Sequence, residues 1–448
     1  MKKEKAVDIS RKLFNDDQFG CRHRKDERFF TRNRILTFGL VAMLILKKSM
    51  KSLQLILNEF AGFFNLMPVT GSAFTQARSH LSHTAFIELN EKAIVSVVYE
   101  DGDYKRYKGK FRLSGIDGSK TILPNEEDIR KEFGAISYTN GKDDQIAGSK
   151  PQATASVMYD VLNHVSTDSI LGHSRAYEVD LAERHLSRTS ENDLILTDRN
   201  YTSYRYLGRM IMRGRDFLGR CPKKSFGVVR EMFEGKGEDS RIVTLRPPDM
   251  KEAEESGLPK EITVRFVRVK LDTGETEISV TSLPDEVLYP TEDFKALYNM
   301  RWGVETFYGV LKTRLNLENF TGKTAESVKQ DFYAAIYLTG LESILTREVN
   351  EKLEKKTCLT HRNGDEETGE RIHKHQYKVN KAVSFNAIKN HIFDLFYPEK
   401  RNDVILDKLE NMFGMNKTCV RKDRKSERKK HSLNRVLNYH KRVRKICY

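Results

Sequence analysis

The sequence predicts an α/β protein in which a sheet of mixed strand direction is flanked by helical regions. Two observations support this prediction. From about Tyr104 the apolar residues take the two-residue period of strands, and from about residue 175 helix-like and strand-like segments alternate. Such alternation is typical of a sheet covered by helices on both faces. Helical periodicity before and after this part predicts helices at both ends of the chain.

The first hundred residues are expected to be mainly helical. Residues 1–34 are polar and mixed in charge, which indicates a loosely ordered arm, and apolar residues at helical spacing follow from Ile35. Two short helices, over 74–81 and 84–95, then carry the polar residues Arg78, His80, His83 and Lys92. They are compatible with a DNA-binding unit of the helix-turn-helix kind and equally with an ordinary helical bundle.

The central region predicts a succession of strands and helices. Strands are expected at 108–116, 119–123, 153–162, 194–197 and 217–221, and helices at 175–186 and 201–212. Residues 222–290 differ, because their strand-like segments include a hairpin signal at Asp272-Thr273-Gly274. We interpret this segment as a β-rich insertion. One helix is then expected over 294–315, followed by further helices to about residue 397.

These segments predict four regions. They are a helical N-terminal region (1–100), a central α/β domain (101–221 and 291–345), a β-strand insertion (222–290) and a helical C-terminal region (346–448). From Asn416 the last region carries 13 Lys and Arg residues against two acidic residues, which predicts a basic tail.

Charge and composition narrow the classes of partner and location. Lys and Arg number 78 against 63 Asp and Glu, and the net charge of +15 predicts a polyanionic partner, either nucleic acid or an anionic membrane surface. The longest mostly apolar run, 35–46, is shorter than the roughly 18–20 residues that span a bilayer. The five cysteines are scattered without a CxxC pair, which indicates reduced thiols. With no apolar signal segment at the start, a cytoplasmic location is expected.

The helix expected over 294–315 carries two stripes of side chains. The apolar stripe is Leu297, Met300, Val304, Phe307 and Leu311. One position further on, a polar stripe repeats the same spacing with Tyr298, Arg301, Glu305, Tyr308 and Lys312. Basic residues on this partly shielded face are suited to phosphates, and a carboxylate between them is suited to a cation. Taken alone, the helix is better explained by a solvated salt-bridge face.

Two aspartates at predicted strand ends favour a functional site. Asp117 follows the run 111–116 and Asp198 follows 194–197, and each precedes turn-forming residues. Either aspartate alone is better explained as a cap. Together with Glu305 they form an oxygen-only donor set of the kind that holds Mg²⁺ or Mn²⁺. Such sites hold two ions about 4 Å apart in phosphoryl-transfer enzymes.

The arrangement Tyr298-x2-Arg301-x3-Glu305-x6-Lys312 resembles the Y-R-E-K signature of the insertion-sequence-4 family of DDE transposases. Asp117 in Gly-Ile-Asp-Gly and Asp198 in Thr-Asp-Arg-Asn-Tyr resemble the first and second acidic residues of that family. The stretch 72–78 (SAFTQAR) resembles one common in its N-terminal regions. The resemblance covers about residues 30–400 and implies an RNase H-like catalytic domain with a β-strand insertion.

The resemblance also implies residue roles. Asp117, Asp198 and Glu305 would be the catalytic residues and would bind two Mg²⁺ or Mn²⁺ ions, while Tyr298, Arg301 and Lys312 would contact DNA phosphates at the transposon end. The implied partners are double-stranded DNA, as terminal inverted repeats and as target, and a second copy of the chain on that DNA. The implied activity is DNA cleavage and strand transfer.

Two departures and two alternatives accompany this interpretation. Asn200 stands where the family usually has glycine, and the single tryptophan, Trp302, lies within the signature helix, so no residue is assigned to stack on a flipped base. The alternatives are an RNase H-like nuclease without strand transfer and a non-catalytic DNA-binding protein derived from a transposase. The latter predicts degraded acidic positions, whereas all three are present here.

Overall fold

The structure is a computed structural model that describes residues 2–32, 34–49, 51–139, 146–271, 274–362, 376–397 and 402–420. The chain forms two compact units. The first unit combines Met1–Gly102, Ile122–Gln152 and Leu311–Tyr448, and the second combines Asp103–Thr121 and Ala153–Val310. The predicted basic tail beyond residue 420 and the hairpin residues Asp272 and Thr273 lie outside the described residues. The predicted boundaries of the four regions stay a prediction.

Helices dominate the first unit and alternate with strands in the second. In chain order the α-helices are α1 (Lys2–Phe14), α2 (Asp17–His23), α3 (Phe38–Leu46), α4 (Leu53–Phe64), α5 (Gly71–Ser79), α6 (Thr84–Asn90), α7 (Ser96–Tyr99), α8 (Glu127–Phe133), α9 (Glu178–His185), α10 (Tyr204–Met212), α11 (Gly227–Phe233), α12 (Met250–Glu255), α13 (Asp293–Asn299), α14 (Trp302–Thr313), α15 (Ala325–Arg362), α16 (Lys381–Asn390), α17 (Ile392–Phe396) and α18 (Asn402–Met415). A π-helical segment, Glu91–Val95, joins α6 to α7. Short 3-10 turns occur at Leu186–Arg188 and Arg199–Tyr201.

The strands form one large sheet and one small one. In chain order they are β1 (Arg112–Ile122), β2 (Ala135–Thr139), β3 (Ile146–Asp160), β4 (Val165–His173), β5 (Asp193–Thr197), β6 (Asp216–Arg220), β7 (Ser240–Leu245), β8 (Ile262–Lys270), β9 (Thr276–Thr281), β10 (Tyr377–Val379) and β11 (Lys417–Cys419). In the first unit, β2 pairs with the beginning of β3 and β10 pairs with β11, both antiparallel.

The sheet of the second unit has the strand order β4-β3-β1-β5-β6-β9-β8-β7. Its centre is parallel, because β5 runs parallel to both β1 and β6. Antiparallel pairs flank this centre, with β4 against β3 on one side and β9, β8 and β7 in succession on the other. This mixed sheet with helical flanks confirms the predicted α/β class.

The core of the second unit follows from the burial of its central strand. Every residue of β5 is buried, as expected for a parallel strand covered on both faces. Ile195 of β5 packs in one apolar cluster with Leu207 of α10, Phe217 of β6 and Phe266 of β8. Since Phe266 belongs to the predicted insertion, the insertion strands continue the main sheet and share its core.

The first unit is organised around α15, which packs against α1, α3, α6, α16 and α18. The prediction of a loosely ordered arm over 1–34 is wrong, because α1 and α2 lie there. Ala6 and Val7 are fully buried, and the Ser10 hydroxyl lies 2.7 Å from that of Tyr337 in α15. The charged residues of α1 make this segment look polar in sequence, but its buried residues recur at helical spacing and form one face of the helix. Across the described residues, no helix is both long and apolar enough to cross a membrane.

Some predicted elements have different bounds in the structure. The predicted strands 108–116 and 119–123 are one strand, β1, and β4 was not predicted at all. The helix predicted over 294–315 is two helices, α13 and α14. Between them, the amides of Met300, Arg301 and Val304 each bond to the carbonyl three residues earlier, which tightens the backbone into a 3-10-like turn. Met300 is therefore 36% exposed, although the rest of the apolar stripe is buried.

Candidate active site

The two predicted aspartates come together through the register of one strand pair. In the parallel pair of β1 and β5, Gly115 lies opposite Leu196, an offset of 81 residues. Asp117 and Asp198 are separated by the same 81 residues. The strand end predicted at Asp117 is wrong, because β1 continues to Ile122. Both carboxylates nevertheless follow the paired segment, at its carboxyl end. This is the end at which ligands bind in open α/β sheets.

Asp117 is held as a mostly buried carboxylate. Its Oδ1 accepts a hydrogen bond from the amide of Gly118 (2.9 Å), and its Oδ2 lies 3.7 Å from Nη1 of Arg301. Burial raises the pKa of Asp117 to about 6, against the opposing effects of the Gly118 amide and Arg301. The negative charges of Glu305 and Asp198 contribute to the same rise. The three predicted acidic residues thus interact electrostatically around Asp117.

Asp198 serves as a cap and also faces the signature helix. Its Oδ1 accepts a hydrogen bond from the Arg199 amide (2.7 Å), at the start of the 3-10 turn Arg199–Tyr201. The Tyr298 hydroxyl donates to the same Oδ1 at 3.3 Å. Burial is the main cause that raises the pKa of Tyr298 above its ordinary value, so this hydroxyl stays protonated at neutral pH. Tyr298 therefore joins α13 to the turn that follows β5.

Arg301 lies at the turn between α13 and α14, where it is only 3% exposed. Its Nη2 donates to Oε1 of Glu305 at 2.6 Å, and its guanidinium lies over the rings of Tyr298 and Trp302 at 5.6 and 5.7 Å. Its Nε and Nη1 are buried without a hydrogen-bond partner. Unpaired donors of a buried charge are costly, so these two atoms require a functional or structural explanation.

Lys312, the last predicted site residue, belongs to the first unit. It lies seven residues after Glu305 on α14, which places it about two turns further along the same helix face. Burial lowers its pKa, while the nearby Glu318 acts in the opposite direction. Of the six predicted residues, the structure thus gathers Asp117, Asp198, Tyr298, Arg301 and Glu305 in the second unit.

The residues considered for a helix-turn-helix-like unit have structural partners in the first unit. The Arg78 side chain is buried and forms an ion pair with Asp331 at 2.9 Å. The main-chain amide of His83 donates to Glu326 at 2.6 Å, and its ring Nδ1 lies 2.9 Å from the same carboxylate oxygen. These contacts favour the bundle interpretation for Arg78 and His83.

Comparison with known proteins adds an independent observation. The family model described as the transposase DDE domain matches residues 115–339, which is half of the chain and includes all six predicted site residues. The chain belongs to the DDE transposase family. The predicted family is therefore confirmed.

Two curated relatives agree with this membership. The chain is 25% identical over 188 residues to "Transposase InsG for insertion sequence element IS4" of Escherichia coli (strain K12), a match that covers 42% of each protein. It is also 25% identical over 152 residues to "Putative transposase y4zB" of Sinorhizobium fredii (strain NBRC 101917 / NGR234), covering 34% of this chain and 42% of that protein. The match thus spans about two fifths of the length of either relative.

A solved structure is also similar to this DDE transposase family member. It is the cryo-EM structure of a piggyBac transposase synaptic complex with hairpin DNA. The similarity covers 91% of this chain and 85% of that one, at 12% sequence identity and a TM-score of 0.42.

The carboxylates of this family member suit a hard divalent cation by donor type, since all are oxygens. Among the residues that the structure describes, no three His, Cys, Asp or Glu side chains are gathered closely enough to hold an ion. The carboxylate of Glu305 is turned to Arg301, with which it forms an ion pair at 2.6 Å. Burial is the main cause of the raised pKa of Asp117, and the charges of Glu305 and Asp198 add to it.

Sequence reasoning missed two residues beside this site. Glu178 opens α9, and its carboxylate packs against Gly118, the residue after Asp117. The hydroxyl of Tyr201 is buried without a hydrogen-bond partner, and Asp117 and Glu178 add to the effect of burial in raising its pKa. Tyr201 lies in the Asp-Arg-Asn-Tyr motif quoted above, so the sequence motif could have identified it. No local pattern distinguishes Glu178 from other acidic residues at helix starts.

Proposed function

We propose that this chain is a DNA transposase that binds the ends of a mobile element and catalyses metal-dependent DNA cleavage and strand transfer. The observation that carries the proposal is the register of β1 and β5, which aligns Asp117 with Asp198 beside the Arg301–Glu305 pair. The transposases named among the relatives, and the family match over all six predicted residues, support it.

Asp117, Asp198 and Glu305 are the proposed catalytic residues and would hold two Mg²⁺ or Mn²⁺ ions. Bound ions of this kind activate an attacking oxygen and stabilise a leaving oxygen in phosphoryl transfer. Tyr298, Arg301 and Lys312 would position DNA phosphates. For Arg301 the support is its two buried donors without a hydrogen-bond partner, because phosphate oxygens are strong acceptors for a guanidinium.

The proposed substrate is double-stranded DNA, as terminal inverted repeats and as target. The net charge of +15 supports a polyanionic partner, since neutralising DNA phosphates releases counterions and strengthens binding. Two copies of the chain on two DNA ends, and a cytoplasmic location on chromosomal or plasmid DNA, belong to the same proposal.

The test uses the full chain, Mg²⁺ and DNA carrying both flanks of its own coding sequence. Strand breaks at the repeat ends are expected from the unchanged protein. Asp117→Asn should reduce cleavage by about 1,000-fold, because losing several kcal/mol of charge stabilisation slows a reaction by about three powers of ten. Binding of the repeat ends, followed by gel shift, should be largely retained.

Asp216→Asn is a suitable control, because Asp216 begins β6 and accepts a hydrogen bond from Ser282, away from the strand ends that carry the site. It should cleave like the unchanged protein. Pre-cleaved ends separate the alternatives: cutting without joined product indicates a nuclease, and end binding without any cutting indicates a non-catalytic DNA-binding protein. Cleavage by Asp117→Asn at the unchanged rate would contradict the assignment of Asp117.

A further inference from the structure

A fourth carboxylate lies between the segments that follow the two aligned aspartates. Glu178 is the first residue of α9, and a Cβ added to Gly118 would lie 2.7 Å from its Cδ and 2.9 Å from its Oε1. Its carboxylate therefore rests on the backbone directly after Asp117. Gly118 has no positive φ, so the space that Glu178 occupies is the reason that a side chain does not fit here.

The same carboxylate also reaches the segment after Asp198. The Asn200 amide nitrogen lies 3.5 Å from Oε2 of Glu178, which is long for a hydrogen bond but brings an amide beside the carboxylate. Asn200 is the position at which this chain departs from the family's usual glycine. A glycine has no side chain with which to approach Glu178, so this contact is specific to the asparagine of this sequence.

An independent observation comes from Tyr201. Its side chain is 1% exposed, and its hydroxyl is buried with no hydrogen-bond partner. Asp117, Glu178 and Asp198 all act on this hydroxyl electrostatically. A buried hydroxyl without a partner is costly, and Tyr201 directly follows Asn200, whose amide lies beside the Glu178 carboxylate, which indicates a site that is completed by a bound group.

We propose that Glu178 is a fourth carboxylate of the divalent-ion site, supplementing Asp117, Asp198 and Glu305. The proposal rests on the function proposed above. Glu178 binds the ion directly or through a water molecule, and Asn200 holds its carboxylate beside the two aspartates. Carboxylates that orient or supplement metal ligands typically change metal affinity about 10- to 100-fold when they are removed.

A simpler explanation is that Glu178 only stabilises α9, because acidic residues are favourable in the first turn of a helix. The two explanations differ in what a substitution changes. A helix-stabilising role affects the melting temperature and leaves ion affinity unchanged. A role in the ion site affects the affinity for Mn²⁺, which is measurable without DNA or catalysis.

The test is a titration of the full chain with Mn²⁺ alone, followed by electron paramagnetic resonance or calorimetry. Glu178→Gln should weaken Mn²⁺ binding about 10-fold. Asp180→Asn is the matched control, because Asp180 lies two residues along α9, on another side of the helix, and pairs at the surface with Arg205. It removes the same charge and should change the Mn²⁺ affinity less than about twofold.

A second variant acts on the geometry and leaves Glu178 in place. Gly118→Ala puts a methyl group where the Glu178 carboxylate lies, and a flexible glutamate is able to move away without unfolding the chain. It should weaken Mn²⁺ binding to a similar extent, and it should have little further effect in the Glu178→Gln background. A full effect in that background would show that Gly118→Ala acts on Asp117, and it would remove this support for Glu178.

Asp117→Asn in the same titration separates this proposal from the proposed function. If Asp117→Asn weakens Mn²⁺ binding while Glu178→Gln matches Asp180→Asn, the role of Glu178 is wrong and the proposed function stands. If Asp117→Asn leaves Mn²⁺ binding unchanged, the ion site itself is wrong and the role of Glu178 fails with it.

Discussion

Arg78 in the first unit and Arg301 in the second are buried to almost the same degree, with 5% and 3% of their surface exposed. Their guanidinium groups are nevertheless held very differently. The Arg78 nitrogens donate to Gln330, Thr321, Asp331 and the carbonyl of Ser327. Arg301 donates from Nη2 to Glu305, and its Nε and Nη1 have no hydrogen-bond partner.

The difference indicates what each arginine is for. A buried charge whose three nitrogens all donate hydrogen bonds stabilises one arrangement of the surrounding helices, and we interpret Arg78 in that way. A buried charge with unsatisfied donors costs stability and persists where another role requires it. Burial and residue type are the same in both cases. The number of hydrogen bonds is therefore what distinguishes the structural role of Arg78 from the role proposed for Arg301 in the site.

A third polar group supports this distinction. In the second unit His185 lies between Ser156, at 3.0 Å from Nε2, and Asp168, at 2.7 Å from Nδ1. These three residue types form the catalytic triad of many hydrolases. Here Ser156 and His185 are fully buried and each is hydrogen-bonded within the trio. Since no substrate reaches the serine, the group is a structural link between β3, β4 and α9.

The largest expected effect in this comparison is that of Arg78→Met. It should lower the free energy of unfolding by about 3–5 kcal/mol, because it leaves the buried carboxylate of Asp331 without its cation. Urea unfolding followed by circular dichroism measures the change. Arg22→Met, which removes an arginine from the more exposed pair with Glu88, should cost clearly less. Equal costs for the two variants would show that Arg78 is not the structural anchor of its unit.

Asp117→Asn should have an intermediate effect on stability, in the opposite direction, because it should raise the free energy of unfolding. The pKa of Asp117 is raised to about 6 in the folded chain, so the folded state binds more protons than the unfolded state between about pH 4 and 6. Stability therefore falls as the pH rises through this window. The neutral asparagine avoids that loss and should stabilise the ion-free protein by about 1–3 kcal/mol at pH 7.5.

The pH dependence is the check on this prediction. Melting curves of both proteins without added divalent ions should differ at pH 7.5 and converge as the pH approaches 4. A stability difference that does not change between these pH values would mean that the charge of Asp117 is not the cause.

Arg301→Met should have the smallest effect on stability. We expect a loss of about 1–2 kcal/mol, because the hydrogen bond to Glu305 and the 3.7 Å ion pair with Asp117 are lost, while two donors without hydrogen-bond partners are removed with them. Glu305 is 37% exposed on its side chain and is able to turn to water. Parallel urea titrations of Arg301→Met and Arg78→Met measure the contrast. A loss for Arg301→Met as large as that for Arg78→Met would remove the distinction between the two arginines.

The sequence was sufficient to predict the fold class and to select candidate site residues, because both depend on local patterns. Strand-like runs ended at Asp117 and Asp198, and the spacing of Tyr298, Arg301 and Glu305 identified one helix face. The family match over residues 115–339 confirmed the family that this spacing indicated. The ion-binding and DNA-binding roles of those residues stay predictions.

Local sequence patterns do not predict the other features of the fold and of the site. The prediction of an arm over 1–34 was wrong because the charged residues of α1 dominate its sequence. The opposite face of α1 is buried through contacts with distant residues such as Tyr337, and a local pattern does not show these contacts. The helix over 294–315 was expected to be continuous because its period is unbroken, yet the backbone tightens at Arg301. Glu178 lies about sixty residues from Asp117 in sequence, and only the packing of α9 on β1 brings its carboxylate to Gly118.

By itself, the sequence determined which residue types follow the apolar strand-like runs and stand on the signature helix, because side-chain period and motif spacing are properties of neighbouring residues. Tertiary structure alone decided the 81-residue register that aligns the two aspartates, the burial that raises the pKa of Asp117, and the incomplete pairing of Arg301. Register and burial arise from contacts between distant segments, and the free energy of a charged group depends on the surroundings that those contacts create.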